Sequence, residues 1–428
     1  MFYKFDYHNI RFIMKLTISL YLILICNILN AQPIELLPYP KALGDLPINY
    51  VYNRIQNSSR LSSFLNKLQS LQSIQKGTVT VVHIGDSHIQ ADYFSGFIRE
   101  KLQLSFGNAG RGLVFPYQLA KSNAPADIES SSNITWEFNR VAHPEIMLNP
   151  GISGFVIQTN ELMPRIDISI KQNTKADSSH FFNTLKFYID TSKYSSWIMN
   201  LQGTEKKYFI NNNTNDTLIY KSVFLEMPVN SFSLYSIPTS TTKAFYGVSL
   251  ENSKPGILYH SIGVNGAQYS QFNNSHLFWK QVSSLKGDLF IVSLGTNEAQ
   301  KSVFNSQEFK SQLQQMVDHI KRVAPNACIL ITSPPDSFTG TAPNNNLLLI
   351  NKVMTSFCTE NMIPFWNLYM VTNGYGSCKT WYSKGLMTKD KVHFTSQAYQ
   401  IQAFLLYNSI IKTYNDFLIN NLTYIENR

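Results

Sequence analysis

Four residues of this chain have the side chains that nucleophilic catalysis requires. Ser87 follows the apolar run 78–84 in a Gly-Asp-Ser sequence, Asn297 follows a second apolar run, and Asp390 and His393 lie three residues apart near the C-terminus. A serine hydroxyl becomes a nucleophile when a histidine takes its proton and an acid orients that histidine. An amide N–H such as that of Asn297 can stabilise the oxyanion of an acyl-transfer reaction. The pattern therefore predicts an acyl-transfer site with Ser87 as the nucleophile.

Each of these motifs also has a simpler structural interpretation. Gly-Asp-Ser and a single Asn after a strand both occur in ordinary turns. Asp390 and His393 could lie in a solvated loop before a helix. His88 is a rival base, although a neighbour on a helical turn points away from Ser87. These motifs indicate a site when the fold brings them together.

The elements expected to position these residues alternate between strand and helix. Five apolar runs indicate strands, and segments of helical period follow them. This alternation predicts a parallel, doubly wound sheet whose strands place Ser87 and Asn297 at one edge. A further helix is predicted over 55–74. The predicted strands are 78–84, 256–262, 288–294, 327–332 and 363–368, and the helices after them are about 92–104, 268–285, 307–323, 345–359 and 395–414.

The pattern changes between about residue 118 and residue 254. Short stretches of alternating apolar and polar residues recur there, separated by polar segments such as 211–216. Several short strands at roughly even spacing predict a β-sandwich or jelly-roll. We therefore expect an inserted β module at 118–254, with both ends near the active-site edge of the sheet. The α/β domain is then expected to consist of 32–117 and 255–428.

Composition and the N-terminal segment further limit the functions that are possible. The 428-residue chain is 44% apolar and 15% charged, as in globular proteins, and its net charge of +9 is not gathered into a basic cluster, so no nucleic-acid partner is expected. Lys15 and the apolar segment 16–29 before Ala31 are typical of a secretory signal peptide. We predict residues 1–31 as a signal cleaved after Ala31, and a periplasmic or secreted protein without a stable membrane span.

Three points about the N-terminus and the cysteines stay open at this level. An uncleaved membrane anchor is the alternative to a signal peptide, and either Met1 or Met14 could be the initiator. Cys358 and Cys378 could form a disulfide in an oxidising compartment, although two cysteines are not a framework. Cys328 lies in an apolar run, and no spacing of cysteine and histidine indicates a metal site.

The order of the motifs resembles that of the SGNH/GDSL hydrolase superfamily. Its four blocks correspond to Ser87, to the glycine-containing segment 263–266, to Asn297 and to His393, and the resemblance covers about 78–117 and 256–413. It implies a flavodoxin-like five-stranded parallel sheet, no cofactor and no metal. It further implies Ser87 as nucleophile, His393 as base and Asp390 as the acid that orients it. The implied oxyanion hole consists of the Ser87 and Gly266 N–H groups and the Asn297 side chain, with Gly263 as the competing glycine.

The chain departs from the common pattern at His88, where leucine is usual, and at Glu298, where aspartate is common. The segments 85–89 and 106–112, followed by a β module, are similar to peptidoglycan O-acetylesterases of bacterial envelopes. This similarity implies removal of acetyl from a sugar hydroxyl, the C6 position of N-acetylmuramic acid, with acetylated glycan as partner. A carbohydrate O-acetyltransferase, an esterase for another acetylated polysaccharide or a lipid, and a binding module with an inactive core are the alternatives. The oligomeric state stays open.

Overall fold

A computed structural model describes residues 31–40, 44, 46–171, 180–190, 197–201, 203–210, 219–238 and 241–426. Apart from Ala31, the predicted signal segment lies outside the described residues. Within the described residues, no helix combines the length and the apolar character needed to cross a membrane.

The described strands, in chain order, are β1 (Ile55–Gln56), β2 (Thr78–Gly85), β3 (Gly110–Val114), β4 (Ile128–Ser132), β5 (Glu137–Arg140), β6 (Phe155–Thr159), β7 (Arg165–Ile170), β8 (Phe182–Ile189), β9 (Trp197–Asn200), β10 (Lys207–Ile210), β11 (Lys221–Val229), β12 (Ser231–Ser236), β13 (Lys243–Glu251), β14 (Gly256–Gly263), β15 (Leu289–Ser293), β16 (Cys328–Thr332), β17 (Phe338–Thr339), β18 (Ala342–Pro343) and β19 (Phe365–Trp366). The α-helices are α1 (Ser62–Ile74), α2 (Ser87–Gln90), α3 (Tyr93–Phe106), α4 (Tyr269–Asn273), α5 (His276–Val282), α6 (Thr296–Ala299), α7 (Ser306–Val323), α8 (Asn345–Glu360), α9 (Leu368–Val371), α10 (Ser377–Ser383) and α11 (Ser396–Glu426).

The central sheet has the strand order β1-β19-β16-β15-β2-β14. Its five predicted strands are parallel to one another and follow the order 2-1-3-4-5 along the chain, which is the flavodoxin-like order. The predicted fold class is therefore confirmed. At the edge, β1 adds a short antiparallel strand to β19.

Both faces of this sheet are covered, and its strands are mostly apolar and buried along nearly their whole length. Val81 packs into a core shared with α1, α3 and α11, and its neighbour Val82 packs into the core on the other face, shared with α5, α7 and α8. Successive residues of a strand point to opposite faces, so continuous apolar runs require helices on both sides.

Two antiparallel sheets form the part of the chain that we expected to be a β module. One has the order β10-β9-β12-β7-β4 and the other the order β11-β8-β13-β6-β5, with β3 also paired to β13. Their inner faces meet in an aromatic core, where the rings of Phe187 and Phe232 lie 5.5 Å apart, edge to face. This is the predicted sandwich, while the boundaries 118–254 stay a prediction.

The chain enters and leaves this sandwich along β14. The Ile257 N–H donates to the Gly107 carbonyl at 2.8 Å. Gly107 and Gly112 have φ of 93° and 81°, and a Cβ at either position would overlap a backbone carbonyl oxygen of the returning chain. The glycine-rich run 106–112 is therefore required by the close approach of two chain segments.

The two ends of the sandwich lie at opposite ends of the central strands: the entering end is near their carboxyl ends, and the returning end is near their amino ends. The expectation that both lie near the active-site edge was therefore wrong. Gly256, at the returning end, pairs with Thr78 at the amino end of β2. At the entering end, Ser122 accepts a hydrogen bond from Gln90, next to the nucleophile turn, at 2.8 Å. The difference arises from β3, an unpredicted strand that carries the chain back along the sheet.

A buried ion-pair cluster fixes the sandwich to the α/β domain. Arg111 of β3 makes two hydrogen bonds to the carboxylate of Asp127 and a third, of 2.7 Å, to Asp92, which also pairs with Arg99 at 2.7 Å. Asp92 and Arg99 belong to the turn and helix after the nucleophile. Two-point pairing of a guanidinium with a carboxylate fixes orientation as well as distance. The cluster therefore orients the sandwich relative to the nucleophile turn.

Several element boundaries differ from those predicted. Residues 55–61 form β1 and a single 3₁₀ turn, so α1 begins at Ser62. The predicted strand 363–368 shortens to Phe365–Trp366 because the Asn367 side chain accepts from the Met370 N–H and starts α9. The predicted helix 268–285 divides into α4, α5 and a 3₁₀ turn. Cys328, Cys358 and Cys378 are free and buried.

Candidate active site

Ser87 begins a short helix at the carboxyl end of β2. Strand β2 ends at Gly85, where a Cβ would overlap the side chain of Ile89 in the next turn. The Asp86 side chain then accepts a hydrogen bond from the His88 N–H at 3.0 Å and caps α2. The Gly-Asp-Ser sequence is therefore the sharp strand-to-helix turn that lifts the Ser87 hydroxyl to the sheet edge.

The structure brings three of the predicted residues into one hydrogen-bonded row. His393 Nε2 lies 2.8 Å from Ser87 Oγ, and His393 Nδ1 lies 2.8 Å from Asp390 Oδ2. These distances allow the imidazole to take the hydroxyl proton while the carboxylate fixes the tautomer with a proton on Nδ1. The catalytic roles of the three residues stay proposals that this geometry supports.

The Asp390 loop is arranged to keep its carboxylate ionised. Partial burial alone would raise the pKa of Asp390, but the backbone N–H groups of His393 and Val392, with the Thr388 hydroxyl and the His393 ring, hold that pKa below its usual range. Asp390 Oδ1 accepts three of these hydrogen bonds, at 2.7 to 2.9 Å. The spacing Asp-x-x-His therefore forms a turn in which the acid also holds the backbone of the histidine.

Asn297 and Gly266 lie where the oxyanion donors are expected, after β15 and β14. Asn297 Nδ2 donates to the Ala267 carbonyl at 2.9 Å, which ties it to the residue after Gly266. Gly266 is exposed, with φ of 82°, whereas Gly263 is buried and a Cβ there would overlap the backbone of Gln90. Gly263 therefore serves the packing of α2 on β14, and Gly266 is the glycine open to a ligand. Its role in an oxyanion hole stays a proposal.

Two buried carboxyl groups support this region. Glu298 Oε1 accepts the Tyr269 N–H at 2.7 Å, which joins the turn after β15 to the start of α4. Burial raises the pKa of Glu298 to about 7, and the nearby Asp86 acts in the same direction. Burial likewise raises the pKa of Asp86 to about 7, against the hydrogen bond from the His88 N–H. The departure from aspartate at position 298 thus provides the reach to the backbone of α4.

The rival base, His88, is not placed to serve Ser87. Its Nδ1 lies 2.9 Å from the hydroxyl of Tyr399, and its Nε2 is buried. Burial lowers the pKa of His88 to about 3, and the neighbouring His393 acts in the same direction. The ring stacks on that of His393, with centroids 5.3 Å apart and planes at 29°. His88 is therefore a neutral neighbour of the candidate base.

Sequence reasoning missed Gln90 and Tyr399. Gln90 Oε1 accepts the Asn265 N–H at 2.7 Å, and its Nε2 donates to Ser122 and Asn123 of the sandwich. Gln90 thus joins the nucleophile helix, the Gly266 loop and the inserted strands. No sequence signal distinguished it, because a glutamine one turn after Ser87 is unremarkable without knowledge of what packs there.

Comparison with known proteins agrees with this fold. Residues 240–401 match the GDSL-like Lipase/Acylhydrolase family. A solved structure described as a peptidoglycan O-acetylesterase is similar over 85% of this chain and 99% of its own, with a TM-score of 0.71 at 21% identity.

Smaller hydrolases match over a shorter extent. A lipase/acylhydrolase from Enterococcus faecalis aligns over 37% of this chain and 77% of its own, at 17% identity and a TM-score of 0.29. An acetylxylan esterase from Geobacillus stearothermophilus aligns over 37% and 73%, at 18% identity and a TM-score of 0.30. No curated protein matches the chain in sequence. The protein has the SGNH hydrolase fold, and its residues 240–401 match the GDSL-like lipase/acylhydrolase family.

Proposed function

We propose that this protein is an exported serine esterase that removes O-acetyl groups from cell-envelope carbohydrate, with peptidoglycan as the polymer. The observation that carries the proposal is the hydrogen-bonded row of Ser87, His393 and Asp390, set beside an inserted β-sandwich. The solved structure described as a peptidoglycan O-acetylesterase supports it, because the similarity covers 85% of this chain and so extends into the sandwich.

In the first half of the reaction, Ser87 Oγ attacks the acetyl carbonyl carbon while His393 Nε2 accepts the hydroxyl proton. The carbonyl oxygen becomes an oxyanion, and the N–H groups of Ser87 and Gly266 and the Asn297 amide stabilise it. The carbon–oxygen bond to the sugar then breaks, and the sugar oxygen takes the proton from His393. The sugar leaves with a free hydroxyl, and an acetyl ester remains on Ser87.

In the second half, a water molecule attacks the acetyl ester while His393 Nε2 accepts its proton. The bond to Ser87 Oγ breaks, that oxygen recovers the proton, and acetate is released. Asp390 stays ionised throughout, which suits its depressed pKa, and stabilises the imidazolium in both halves. An acetyltransferase would replace the water with a sugar hydroxyl, so the acceptor in this step decides between hydrolysis and transfer.

The test is release of acetate from natural polymers by the purified protein, with Ser87→Ala as control. Acetate released from O-acetylated peptidoglycan, and not from acetylated xylan or alginate, is the expected result. Release from xylan or alginate alone would make another polysaccharide the substrate. Acetate moved to an added glycan without net release would establish a transferase. Unchanged release by Ser87→Ala would remove Ser87 as the nucleophile.

A further inference from the structure

A second hydrogen-bond path runs beside the one between Ser87 and His393, one residue further along each segment. The Phe394 N–H donates to the Tyr399 hydroxyl at 3.3 Å, and that hydroxyl lies 2.9 Å from His88 Nδ1. His88 directly follows Ser87, and Phe394 directly follows His393. The nucleophile turn and the base loop are thus joined twice, once through the reacting groups and once through Tyr399.

The protons of this second path can be assigned from its geometry. The Tyr399 hydroxyl has one proton to donate, and His88 Nδ1, at 2.9 Å, is the acceptor that lies within reach of it, so we assign that proton to the bond with Nδ1. Burial raises the pKa of Tyr399 and lowers the pKa of His88 to about 3, so both groups are neutral at neutral pH. The ring proton of His88 therefore lies on Nε2. His88 and Gln402 line a small cavity of about 30 Å³, a volume sufficient for one water molecule.

The aromatic rings of this second path also pack beside His393, the candidate base. The His88 ring stacks on the His393 ring, and the ring centroids of Phe394 and Tyr399 lie 5.9 Å apart. Trp381 packs edge to face on Phe394 at 5.6 Å and is almost fully buried. His393 itself lies in a partly exposed loop whose backbone Asp390 holds, and these contacts pack against the His393 side of that loop.

We propose that His88 and Tyr399 are positioning residues that hold His393 Nε2 over the reacting oxygen of Ser87. The need is greatest after acylation. Once Ser87 carries the acetyl group, its Oγ has no proton to donate, and the direct hydrogen bond to His393 is lost. The path through Tyr399 involves no reacting atom and persists, so it keeps the imidazole above the ester while it accepts the proton of the attacking water. This inference rests on the proposed triad.

The chain offers a matched control for the hydroxyl of Tyr399. Tyr407 lies two turns further along α11, is equally buried, and its hydroxyl lies 2.8 Å from Ser105 Oγ, remote from the site. Tyr407→Phe deletes a buried hydrogen bond of the same helix without touching the proposed path. At position 88, His88→Asn keeps an acceptor near the place of Nδ1, and His88→Leu removes it.

The experiment measures kcat and KM for aryl-acetate hydrolysis and the amount of acetyl-enzyme at steady state. We expect Tyr399→Phe and His88→Leu each to lower kcat between about 10- and 100-fold, as small misplacements of a catalytic group do, and to lower KM as well, because slower deacylation leaves more of the enzyme in the acetylated form. Acetyl-enzyme should accumulate, since deacylation depends most on the path. His88→Asn should recover part of the loss, and Tyr407→Phe should behave as the parent.

The double variant Tyr399→Phe with His88→Leu provides the decisive comparison. If the two residues act through one path, its kcat should equal that of the worse single variant. Losses that multiply, a rise in KM in place of a fall in kcat, or parent-like kcat in both single variants would overturn the inference. Thermal melts of each variant exclude unfolding as the cause. Full activity in Ser87→Ala would instead overturn the triad itself, so the two failures are distinguishable.

Discussion

The side-chain amide of Asn297 donates one of its two protons to the carbonyl of Ala267, at 2.9 Å. This bond joins the ends of β15 and β14 on one side of Ser87 and fixes the plane of the amide. The same nitrogen lies 3.5 Å from Asp86 Oδ2, which is long for a hydrogen bond. The Asn297 amide is thus held in place and retains an N–H that can donate to a ligand beside Ser87, which suits the proposed oxyanion hole.

We predict that Asn297→Ala lowers kcat for aryl-acetate hydrolysis by roughly 10²- to 10³-fold, the range for loss of one oxyanion donor. KM should change little, because the donor acts on charge that develops in the transition state. Asn297→Asp keeps the size but replaces the donor with an acceptor, and should be at least as damaging. A large rise in KM at unchanged kcat would make Asn297 a substrate-binding residue instead.

Ser87→Ala should abolish aryl-acetate hydrolysis and leave the fold intact. The Ser87 hydroxyl makes its hydrogen bond to His393 at the exposed edge of the sheet, so its removal leaves no buried partner unpaired. Stoichiometric labelling by a serine-directed phosphonate, followed by mass spectrometry, should be lost in the same variant. Labelling of Ser87→Ala at another serine would assign the nucleophile elsewhere.

His393→Ala should be as damaging as Ser87→Ala, and Asp390→Asn should be milder. The triad acts as a unit, whereas the acid orients the imidazole and stabilises its charge without reacting. Asp390→Asn also weakens the acceptor that holds the His393 backbone N–H, so part of its effect is positional. Measurement of kcat for the three variants tests the order. Near-normal turnover in His393→Ala would show that another group accepts the proton.

The hydrogen-bonded row of Ser87, His393 and Asp390 could be anticipated from the sequence because the motifs that carry it are local. Asp390 and His393 share one turn, and Ser87 follows a strand that its apolar run makes recognisable. Gln90 and Tyr399 could not be located in this way. Their roles depend on what lies across the space between segments, Asn265 for Gln90 and His88 for Tyr399, and nothing in the local pattern reports these partners.

The fold shows the same division between local and distant information. The five parallel strands followed from apolar runs and their spacing, since buried strands are apolar on both faces, and the flavodoxin-like order was implied by the family resemblance. Strand β3 was missed, because Gly110-Arg111-Gly112 has neither the alternation nor the β-branched residues of a strand. It forms because Arg111 meets two carboxylates and the glycines allow backbone contact. Because β3 was missed, the returning end of the sandwich was placed at the wrong end of the central strands.

Glu298 provides a prediction on pH dependence. Its ordinary pKa is near 4.5, and burial raises it to about 7 in the folded protein. Between these values the folded state holds a proton that the unfolded state has released, so the contribution of Glu298 to stability falls as pH rises and is lowest above 7.

Glu298→Gln keeps an oxygen for the Tyr269 N–H and removes the charge. The melting temperature of the variant relative to the parent should therefore be higher at pH 8 than at pH 5. Asp86, also with a raised pKa, is present in both proteins, and because its charge repels that of Glu298, loss of the Glu298 charge shifts the difference in the same direction. A difference in melting temperature that does not change with pH would contradict the prediction.

One sheet of the sandwich, with the order β10-β9-β12-β7-β4, carries on its outer face a groove of about 860 Å³. Most of the side chains that line it carry hydroxyl, amide or charged groups. They include Arg165, Asp167, Asn200, Ser233 and Tyr235. Polar groups beside an aromatic ring suit a sugar, which presents hydroxyls at its edge and C–H groups on its face. The groove also reaches Gln118, four residues before Ser122, which contacts Gln90 of the nucleophile helix.

A polymer held in this groove would be at high local concentration near Ser87. Tyr235→Ala and Asn200→Ala should therefore leave aryl-acetate kinetics unchanged and lower acetate release from insoluble peptidoglycan several-fold. Deleting the whole sandwich is a poorer test, because its ends lie at opposite ends of the central strands and β3 would lose its partner β13. Phe224→Ala is the matched control, since Phe224 is an exposed aromatic residue of the other sheet. Sedimentation of the same variants in the Ser87→Ala background measures binding without turnover. Equal binding by Tyr235→Ala and its parent, or equal loss in Phe224→Ala, would remove the groove as the polymer site.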